Sequence, residues 1–334
     1  MYVTVNGSGG SPNGGTGWGD AFSMAEFLTD LTTNSESGDI YYVDSGTYTV
    51  GGAVDVARSG SPTGEIRIIG VTGQNTPVTI DDWATGDDRP LFDLEGNVFA
   101  VDNWWANCNL RFSGTATTMV RGDAGTLWKT CKFERTTAGA TSQALYIAGS
   151  GARAVDCEIT NASGRGALLA NYSQLVSSHV HDSLTGLQIN GNACIVSMNL
   201  LDGCTTAVSL VGNRIYNVFL NNTLYDGSVG FNGTNTSDRG TFINNIISGF
   251  TTPATWVTHY DTNFFDYNVW HDSDVVVRIT KGNNDLDQDP GFVNPGSDFR
   301  LQLPIYGQQT QGTSGGGLVV GAVQDKYRFY GGGA

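Results

Sequence analysis

A short strand-like pattern recurs about every 23 residues from Cys108 onward, and this period limits the possible folds more than any other feature. One position of the repeat is interpreted as facing inward, and its eight copies are Cys108, Cys131, Cys157, Ser178, Met198, Asn222, Asn245 and Asn268. Two residues after each copy stands a large apolar residue, and the residue between the two is mostly polar. Alternation with period two is typical of a strand with one buried face. A repeat of this length predicts a solenoid in which each copy belongs to one coil.

The chain of 334 residues is expected to form a single solenoid with a short segment at each end. Residues 1–37 are interpreted as an entry segment and a capping helix, with Asp20 as the N-cap of a helix over 21–31. Residues 38–305 are predicted to form the solenoid, with about three strands in each of about ten coils. Residues 306–334 are interpreted as a C-terminal cap or a docking tail.

The composition agrees with this fold and argues against two kinds of partner. The 46 Gly residues suit frequent turns, and the scarcity of Pro, with 8 residues, suits stacked strands that need their backbone N–H groups. Lys and Arg number 17 against 32 Asp and Glu, so the formal charge is −15. Such a surface repels nucleic acid, and no apolar run is long enough to predict a membrane span. We therefore expect neither nucleic-acid binding nor membrane insertion.

Two stretches of the sequence resemble the start and the end of known proteins. WGDAFSMAEFL with GDIYYVDSGTYT resembles a capping helix and first coil, and DQDPGFVNPGSDFRL with VGAVQ resembles a typical ending. These motifs are similar to those of the right-handed parallel β-helix superfamily, which includes pectate lyases and many bacteriophage tailspike and virion proteins. The resemblance covers nearly all of the chain and implies an all-β parallel β-helix solenoid with a short N-terminal capping helix. Enzymes and structural proteins share these motifs, so the resemblance does not select a function.

The inward position is predicted to form a structural ladder along the solenoid axis, in which the side chains change from thiols to amides: Cys108, Cys131, Cys157, Asn222, Asn245 and Asn268. A reduced thiol behaves there as a small apolar side chain, and all five Cys of the chain are expected to be free. Stacked amides can satisfy one another's hydrogen bonds, and the superfamily is known for such ladders.

Asp182, Asp202 and Asp226 stand four residues beyond the inward position of their coils. Carboxylates on consecutive coils would lie about 5 Å apart, close enough to repel one another. One interpretation is a row of turn residues that accept hydrogen bonds from their own backbone. The other is a Ca²⁺ site, since this ion binds several carboxylate oxygens at once. No other cofactor is predicted.

The best catalytic candidates are Asp156, Glu158 and His179. Asp156 and Glu158 are predicted to point outward from one strand, with His179 beside Glu158 on the next coil. Two carboxylates and an imidazole can supply the acid and the base that glycosidic-bond cleavage requires. A chance cluster is the alternative, because any solenoid in water has polar outward residues. Lys132 is the only base at the outward positions nearest the centre of the repeat, and no Arg pair accompanies an acidic cluster, which argues against a lyase site.

Two functional classes stay open. The first is a structural virion protein of a bacteriophage, a capsid decoration or a spike or fibre, with a host-surface polysaccharide as a further ligand. Such a protein is expected to form a homo-oligomer, most simply a trimer, and to contact other virion proteins. The alternative is a secreted, extracellular glycoside hydrolase or lyase on the same fold. We favour the virion protein, because no convincing acid and base pair emerges from the sequence.

Overall fold

The computed structural model of the chain describes residues 1–7, 15–75, 77–137, 139–234, 239–257, 262–272, 276–277, 279–294 and 297–301. The chain is an all-β, right-handed parallel β-solenoid of about ten turns, which confirms the predicted fold class. It divides into two compact units, Met1–Ala162 and Ser163–Ala334. The predicted C-terminal segment 306–334 lies outside the described residues.

The first unit contains three parallel sheets, to which successive coils contribute their strands. Sheet A1 consists of Tyr2–Val3, Ile40–Asp44, Ile66–Val71, Trp105–Cys108, Leu127–Lys129 and Arg153–Val155. Sheet B1 consists of Thr47–Thr49, Leu91–Asp93, Arg111–Gly114, Lys132–Arg135 and Glu158–Asn161. Sheet C1 consists of Val54–Val56, Phe99–Val101, Thr118–Gly122 and Gln143–Ile147.

The second unit also has three parallel sheets, and two long strands take part in two of them. Sheet A2 consists of Gln174–Val176, Ile195–Ser197, Val218–Leu220, Thr241–Ile243 and Phe264–Asp266. Sheet B2 consists of His179–His181, Leu200–Asp202, Thr223–Thr234, Ile246–Trp256, Val269–His271 and Leu286–Asp287. Sheet C2 consists of Arg165–Leu169, Thr185–Ile189, Thr206–Val211, the later parts of the two long strands, and Val276–Val277. An antiparallel hairpin follows, formed by Phe292–Asn294 and Asp298–Leu301.

The α-helix of the first unit spans Met24–Thr33 and begins later than predicted. Its N-cap is Ser23, whose hydroxyl accepts from the backbone N–H of Glu26, while the Glu26 carboxylate accepts from the Ser23 N–H at 2.9 Å. The prediction of Asp20 as N-cap is wrong, because Asp20 belongs to a short 3-10 turn before the helix. The reciprocal Ser and Glu pair satisfies two N–H groups of the first turn, which a lone Asp at position 20 would not do. The 3-10 helices are Trp18–Asp20, Ile80–Asp82 and Gly86–Asp88.

The buried side of this helix packs against the core of the early coils. The Phe27 ring lies 5.3 Å from the Tyr41 ring and 6.4 Å from the Phe92 ring, measured between centroids. The Tyr41 hydroxyl donates to Asp30 of the helix at 2.7 Å. Within the described ranges, no helix has the length and apolar character that a membrane span requires.

Stacks of like side chains fill the interior, because hydrogen-bonded coils are about 4.8 Å apart and each inward side chain lies over its equivalent. In the first unit, centroid distances of 5.3 and 5.5 Å join the rings of Phe92, Phe112 and Phe133. In the second unit, distances of 4.8 and 4.4 Å join the rings of Phe219, Phe242 and Phe265. Burial of each ring contributes about 2 kcal/mol, and each ring pair adds about 1 kcal/mol.

The inward ladder differs from the predicted one at two coils. In the first unit it contains Leu110, Cys131 and Cys157. In the second it contains Ser178, Asn199, Asn222, Asn245 and Asn268. The placement of Cys108 in the ladder is wrong, because Cys108 lies opposite Lys129 in sheet A1 and packs against Trp18 and Val71. The placement of Met198 is wrong as well, since its side chain is 38% exposed.

A left-handed residue precedes every ladder residue and explains this register. The φ angles lie between 49° and 59° at Asn109, Thr130, Asp156, Ser177, Met198, Asn221, Asn244 and Tyr267. One such residue turns the chain sharply at the corner of the coil, and the next side chain then enters the core. Asn and Asp are common in this conformation, so they can indicate it in a sequence. Thr, Met and Tyr rarely adopt it, so their presence does not indicate a left-handed corner.

The amide ladder of the second unit is continuous and ends on a carboxylate. The backbone N–H and the side-chain amide of Asn222 both donate to the Asn245 side-chain oxygen, at 3.0 and 2.9 Å. Asn245 donates in the same way to Asn268, with both distances 3.0 Å. Asn268 then donates to Asp285 Oδ1, while Asp285 Oδ2 accepts from the Trp270 indole at 3.0 Å. A carboxylate suits this last position because it only needs to accept.

The five Cys side chains are free and buried, as predicted. Burial raises the pKa of Cys108 and of Cys194 to about 11, and that of Cys204 to about 12. Thiols of this kind hold little thiolate at neutral pH and react slowly.

The antiparallel hairpin covers part of the outer surface of sheet B2. Phe292 and Phe299 pack on Leu200, Ile246 and Val269, which occupy equivalent outward positions on three strands of that sheet. The mostly polar outward position of the repeat predicts exposed, polar side chains here. The hairpin instead converts them into a second apolar core.

We expect Asn245→Ala to lower the free energy of unfolding by about 3 kcal/mol, because it leaves two buried donors of Asn222 without an acceptor. Urea unfolding followed by circular dichroism measures this loss. Asn283→Ala serves as a control, because Asn283 is an exposed amide of the same unit. Equal unfolding midpoints for the two variants would contradict the stabilising role of the ladder.

The stability that Asp285 contributes should depend on pH. Desolvation by burial raises the pKa of Asp285, although four hydrogen bonds oppose the shift. The folded protein therefore favours the neutral carboxyl, so this contribution is complete below the unfolded pKa of about 3.9 and declines as pH rises through the folded pKa. The stability difference between the natural chain and Asp285→Ala should be largest at low pH. Urea unfolding of both proteins from pH 3.5 to 7 measures it, and a difference that grows with pH would contradict this assignment.

Candidate functional site

The outward side chains of sheet B1 form a row of mixed charge, which we call the charged face. One column of this face contains Arg111, Lys132 and Glu158, and the next contains Asp93 and Glu134. The residues between the two columns point into the core. Equivalent side chains on neighbouring strands stand about 4.8 Å apart, which is close enough for direct pairing of opposite charges.

Two ion pairs order this face. Lys132 Nζ lies 2.9 Å from Glu158 Oε1, and the two side chains are 21% and 30% exposed. Arg111 Nη1 lies 3.4 Å from Asp87 Oδ1 and donates to the Asp87 carbonyl at 3.2 Å. Partly exposed pairs of this kind contribute about 0.2–1 kcal/mol each, so their main effect is to hold the charged groups in place. The face can offer N–H donors and carboxylate acceptors to one extended ligand.

The sequence did not reveal that Arg111 stands beside Lys132, at the equivalent position of the neighbouring strand. The alignment placed Cys108 in the ladder, which shifted the preceding coil by two residues and moved Arg111 out of the outward column. The dipeptides Arg111-Phe112 and Lys132-Phe133 are the signal that gives the register, because both phenylalanines stack in the core at 5.5 Å. The expectation that Lys132 is the only base at these outward positions is therefore wrong.

Asp156 and Glu158 do not share a strand, which corrects the predicted carboxylate pair. Asp156 occupies the left-handed corner of its coil, with φ of 54°, and its side chain is exposed. Glu158 begins the next strand and is held by Lys132. The corner changes the direction of the chain between the two residues, so period-two alternation does not apply to them.

His179 belongs to the second unit, where it pairs with Asp202. The neighbouring His181 lies 2.8 Å from an oxygen of Asp182, and the two imidazole rings stack with centroids 4.4 Å apart. Each imidazole thus has its own carboxylate.

The predicted column of three carboxylates is interrupted. Equivalent left-handed positions on five coils, at or beyond the end of the sheet B2 segment of each coil, are occupied in turn by Asp182, Gly203, Asp226, Gly249 and Asp272. Asp202 is not part of this column, because it lies on the strand before Gly203 and pairs with His179. Asp182 and Asp226 are thus two coils apart, about 10 Å, so the predicted Ca²⁺ site is not formed. Among the described residues, no cluster of three His, Cys, Asp or Glu side chains could hold a metal ion.

The overall fold is similar to that of several solved structures. Pectate lyase Pel9A matches with a TM-score of 0.68 and 14% sequence identity, over 97% of this chain and 96% of that one. The alginate lyase from Paenibacillus sp. str. FPU-7 matches with a TM-score of 0.57 and 11% identity, over 85% of this chain and 99% of that one. The Dettilon tailspike protein matches with a TM-score of 0.49 and 9% identity, over 80% of this chain and 62% of that one.

These likenesses define the class of protein as a right-handed parallel β-helix. At such low identities they show the fold alone. No protein-family model and no curated protein matches the sequence. The fold therefore does not select a function for this chain.

Proposed function

We propose that this chain is a structural protein of a bacteriophage particle that binds a host-surface polysaccharide on its charged face. The row formed by Arg111, Lys132 and Glu158 carries the polysaccharide part of this proposal. Guanidinium and ammonium groups bind sugar carboxylates and hydroxyl oxygens, and carboxylates accept hydrogen bonds from sugar hydroxyls. A linear row of such groups suits a linear polymer better than a small molecule.

The rigidity of the scaffold supports binding on this surface. Lys132 and Glu158 stand on strands that hydrogen-bond to their neighbours, and the Lys132–Glu158 pair limits the freedom of both side chains. A ligand that binds to pre-ordered groups loses less conformational entropy on binding.

A separate feature, the outer surface of sheet A2 in the second unit, supports the proposed role as a component of a bacteriophage particle. Apolar side chains on the outer surface of sheet A2 are exposed, including Phe264 at 53% and Ile195 at 37%. Exposed apolar surface of this kind is typical of proteins that pack against neighbours. The expected trimer and the contacts with other virion proteins belong to this proposal, and secretion as a free protein is the alternative.

An extracellular polysaccharide-degrading enzyme is the second candidate, and the adjacency of Arg111 and Lys132 favours it. Lys132 beside Glu158 and Arg111 on the next strand beyond Lys132 could neutralise an acidic sugar while a nearby group transfers a proton. The pectate lyase and the alginate lyase share the fold. The ion pair between Lys132 and Glu158 favours binding instead, because both groups can keep this contact while their remaining hydrogen-bonding positions meet a sugar, whereas proton transfer would require one of them to leave it.

Lys132→Ala should weaken the binding of an acidic polysaccharide about tenfold, which corresponds to about 1.4 kcal/mol for one lost charge-assisted hydrogen bond. Titration calorimetry against a panel of acidic and neutral polysaccharides measures the change. Lys129→Ala is the matched control, because Lys129 is an exposed lysine of the same unit on sheet A1. If no polysaccharide of the panel binds, or if both variants lose affinity equally, the charged face is not the binding site.

The two candidate functions differ in the fate of the polymer. We expect the natural chain to bind without releasing new reducing ends, since the predicted pair of Asp156 and Glu158 is not assembled on one strand. A reducing-end assay on the same panel decides this. Cleavage that disappears in Glu158→Gln and in Lys132→Met but persists in Lys129→Ala would establish the enzyme instead.

A further inference from the structure

The outer surface of sheet A2 is apolar over five consecutive coils. We call this surface the apolar face, and its outward side chains include Val176, Ile195, Val218, Leu220, Ile243 and Phe264. Phe264 is 53% exposed and Ile195 is 37% exposed. The other four are half-buried by their neighbours in the row. Large apolar side chains thus stand in a continuous row where a solvated sheet would carry polar residues.

The apolar face has no exposed charge. Its remaining outward residues are Gln174, Ser197, Thr241 and Asp266. Asp266 is 9% exposed, and its carboxylate accepts from the Asn284 backbone and side-chain amide, both at 3.0 Å. This neutrality stands out in a chain with a formal charge of −15.

Two other apolar outer surfaces are covered by the chain itself. On sheet B2 the hairpin residues Phe292 and Phe299 cover Ile246 and its neighbours. On sheet A1 the segment with Trp18 packs over Val71 and Cys108. Within the described parts of the chain, no comparable segment lies over the apolar face. The described segments of the chain therefore cover two such surfaces but not the apolar face.

The edges of the apolar face resemble the rim of a protein interface. Tyr172 is 57% exposed and Tyr216 is 51% exposed, both at corners that precede strands of sheet A2. Arg239 donates to the Tyr216 hydroxyl at 2.6 Å and lies over its ring at 5.6 Å. Met198 is 38% exposed at the opposite edge. Tyr, Arg and Met are enriched in interfaces, where they surround an uncharged centre.

We propose that the apolar face is a self-association surface and that its occupant is a second copy of this chain, which presents the same face. Two copies with a charge of −15 each repel one another wherever carboxylates meet. The apolar face avoids this repulsion, because neither partner brings an exposed charge to it. A face that carries no exposed charge and is mostly apolar is also complementary to copies of itself, as packing of the same face around a symmetry axis requires.

The size of the face predicts a weak contact between two free molecules. Four coil intervals of about 4.8 Å give the face a length of about 20 Å. Each strand with one flanking residue at either end gives five residues, and hence a width of about 16 Å. The resulting ~300 Å² is less than half of the ~800 Å² per partner in a standard stable interface. We therefore expect association that depends on concentration in solution and that becomes strong when many copies are held together. This inference is independent of the charged face and of polysaccharide binding.

Phe264→Glu should weaken self-association at least tenfold, because it replaces the most exposed apolar side chain of the contact with a charge. Sedimentation velocity over a range of concentrations of the full chain measures the dissociation constant. Ile80→Glu is the matched control, since Ile80 is 72% exposed in the first unit and the substitution changes the charge by the same amount. Circular dichroism of both variants checks that they fold. A natural chain that stays monomeric at the highest concentration would overturn the proposal, as would equal weakening by both variants.

A second measurement identifies the occupant without relying on a disruptive variant. In Ile195→Cys the new thiol is exposed, whereas the five natural thiols are buried and Cys194 and Cys204 have raised pKa values. Maleimide should label the new thiol rapidly in dilute protein and more slowly as the concentration rises, with Ile80→Cys labelled at one rate throughout. Slow labelling of Ile195→Cys at every concentration would show that another part of the same chain covers the face. Fast labelling at every concentration would show that nothing covers it, and either result overturns the proposal.

Discussion

The spacing of about 4.8 Å between hydrogen-bonded coils is the constraint on which the rest of this structure depends. It places each side chain directly over its equivalent, so a position works only if its residue can stack on a copy of itself. An amide meets this condition because it donates and accepts, as Asn222 and Asn245 do. A carboxylate does not, since it only accepts. Asp285 therefore stands where the ladder ends, and Gly203 separates Asp182 from Asp226 in the corner column.

The same spacing gives the outer surfaces different characters. Equivalent positions of successive coils form a row along one sheet. When most residues of such a row are of one type, they give the whole face that charge or apolar character. Sheet B1 acquires charge in this way through Lys132 and Glu158, and sheet A2 becomes apolar through Ile195 and Phe264. Sheet B2 acquires an apolar row as well, which the hairpin with Phe292 covers. A solenoid can thus carry different chemistry on different faces without separate domains, which is compatible with the proposed function.

Sequence reasoning predicted the fold and the later part of the ladder because both depend on local pattern. Asn222, Asn245 and Asn268 follow one another at a regular interval, and each is followed by alternating apolar residues. The earlier coils were harder, because their turns differ in length and their corner residues are not typical of left-handed backbone. Met198 was assigned to the core for this reason, although Asn199 occupies the ladder. An error of one or two residues in register changes which side chains are outward.

The candidate site could be predicted only in part for the same reason. Glu158 and Lys132 were recognised as outward residues, whereas Arg111 was missed and Asp156 was placed on a strand that it does not join. The sequence by itself determined the solenoid, its period and the chemistry of its inward column, because these follow from the alternation of apolar and polar residues within each strand. Only the tertiary structure decided which residues of neighbouring coils meet and which outer faces the chain covers. Those outcomes depend on turn lengths, on left-handed corners and on segments distant in sequence. The alternation of residues within one strand contains no information about them.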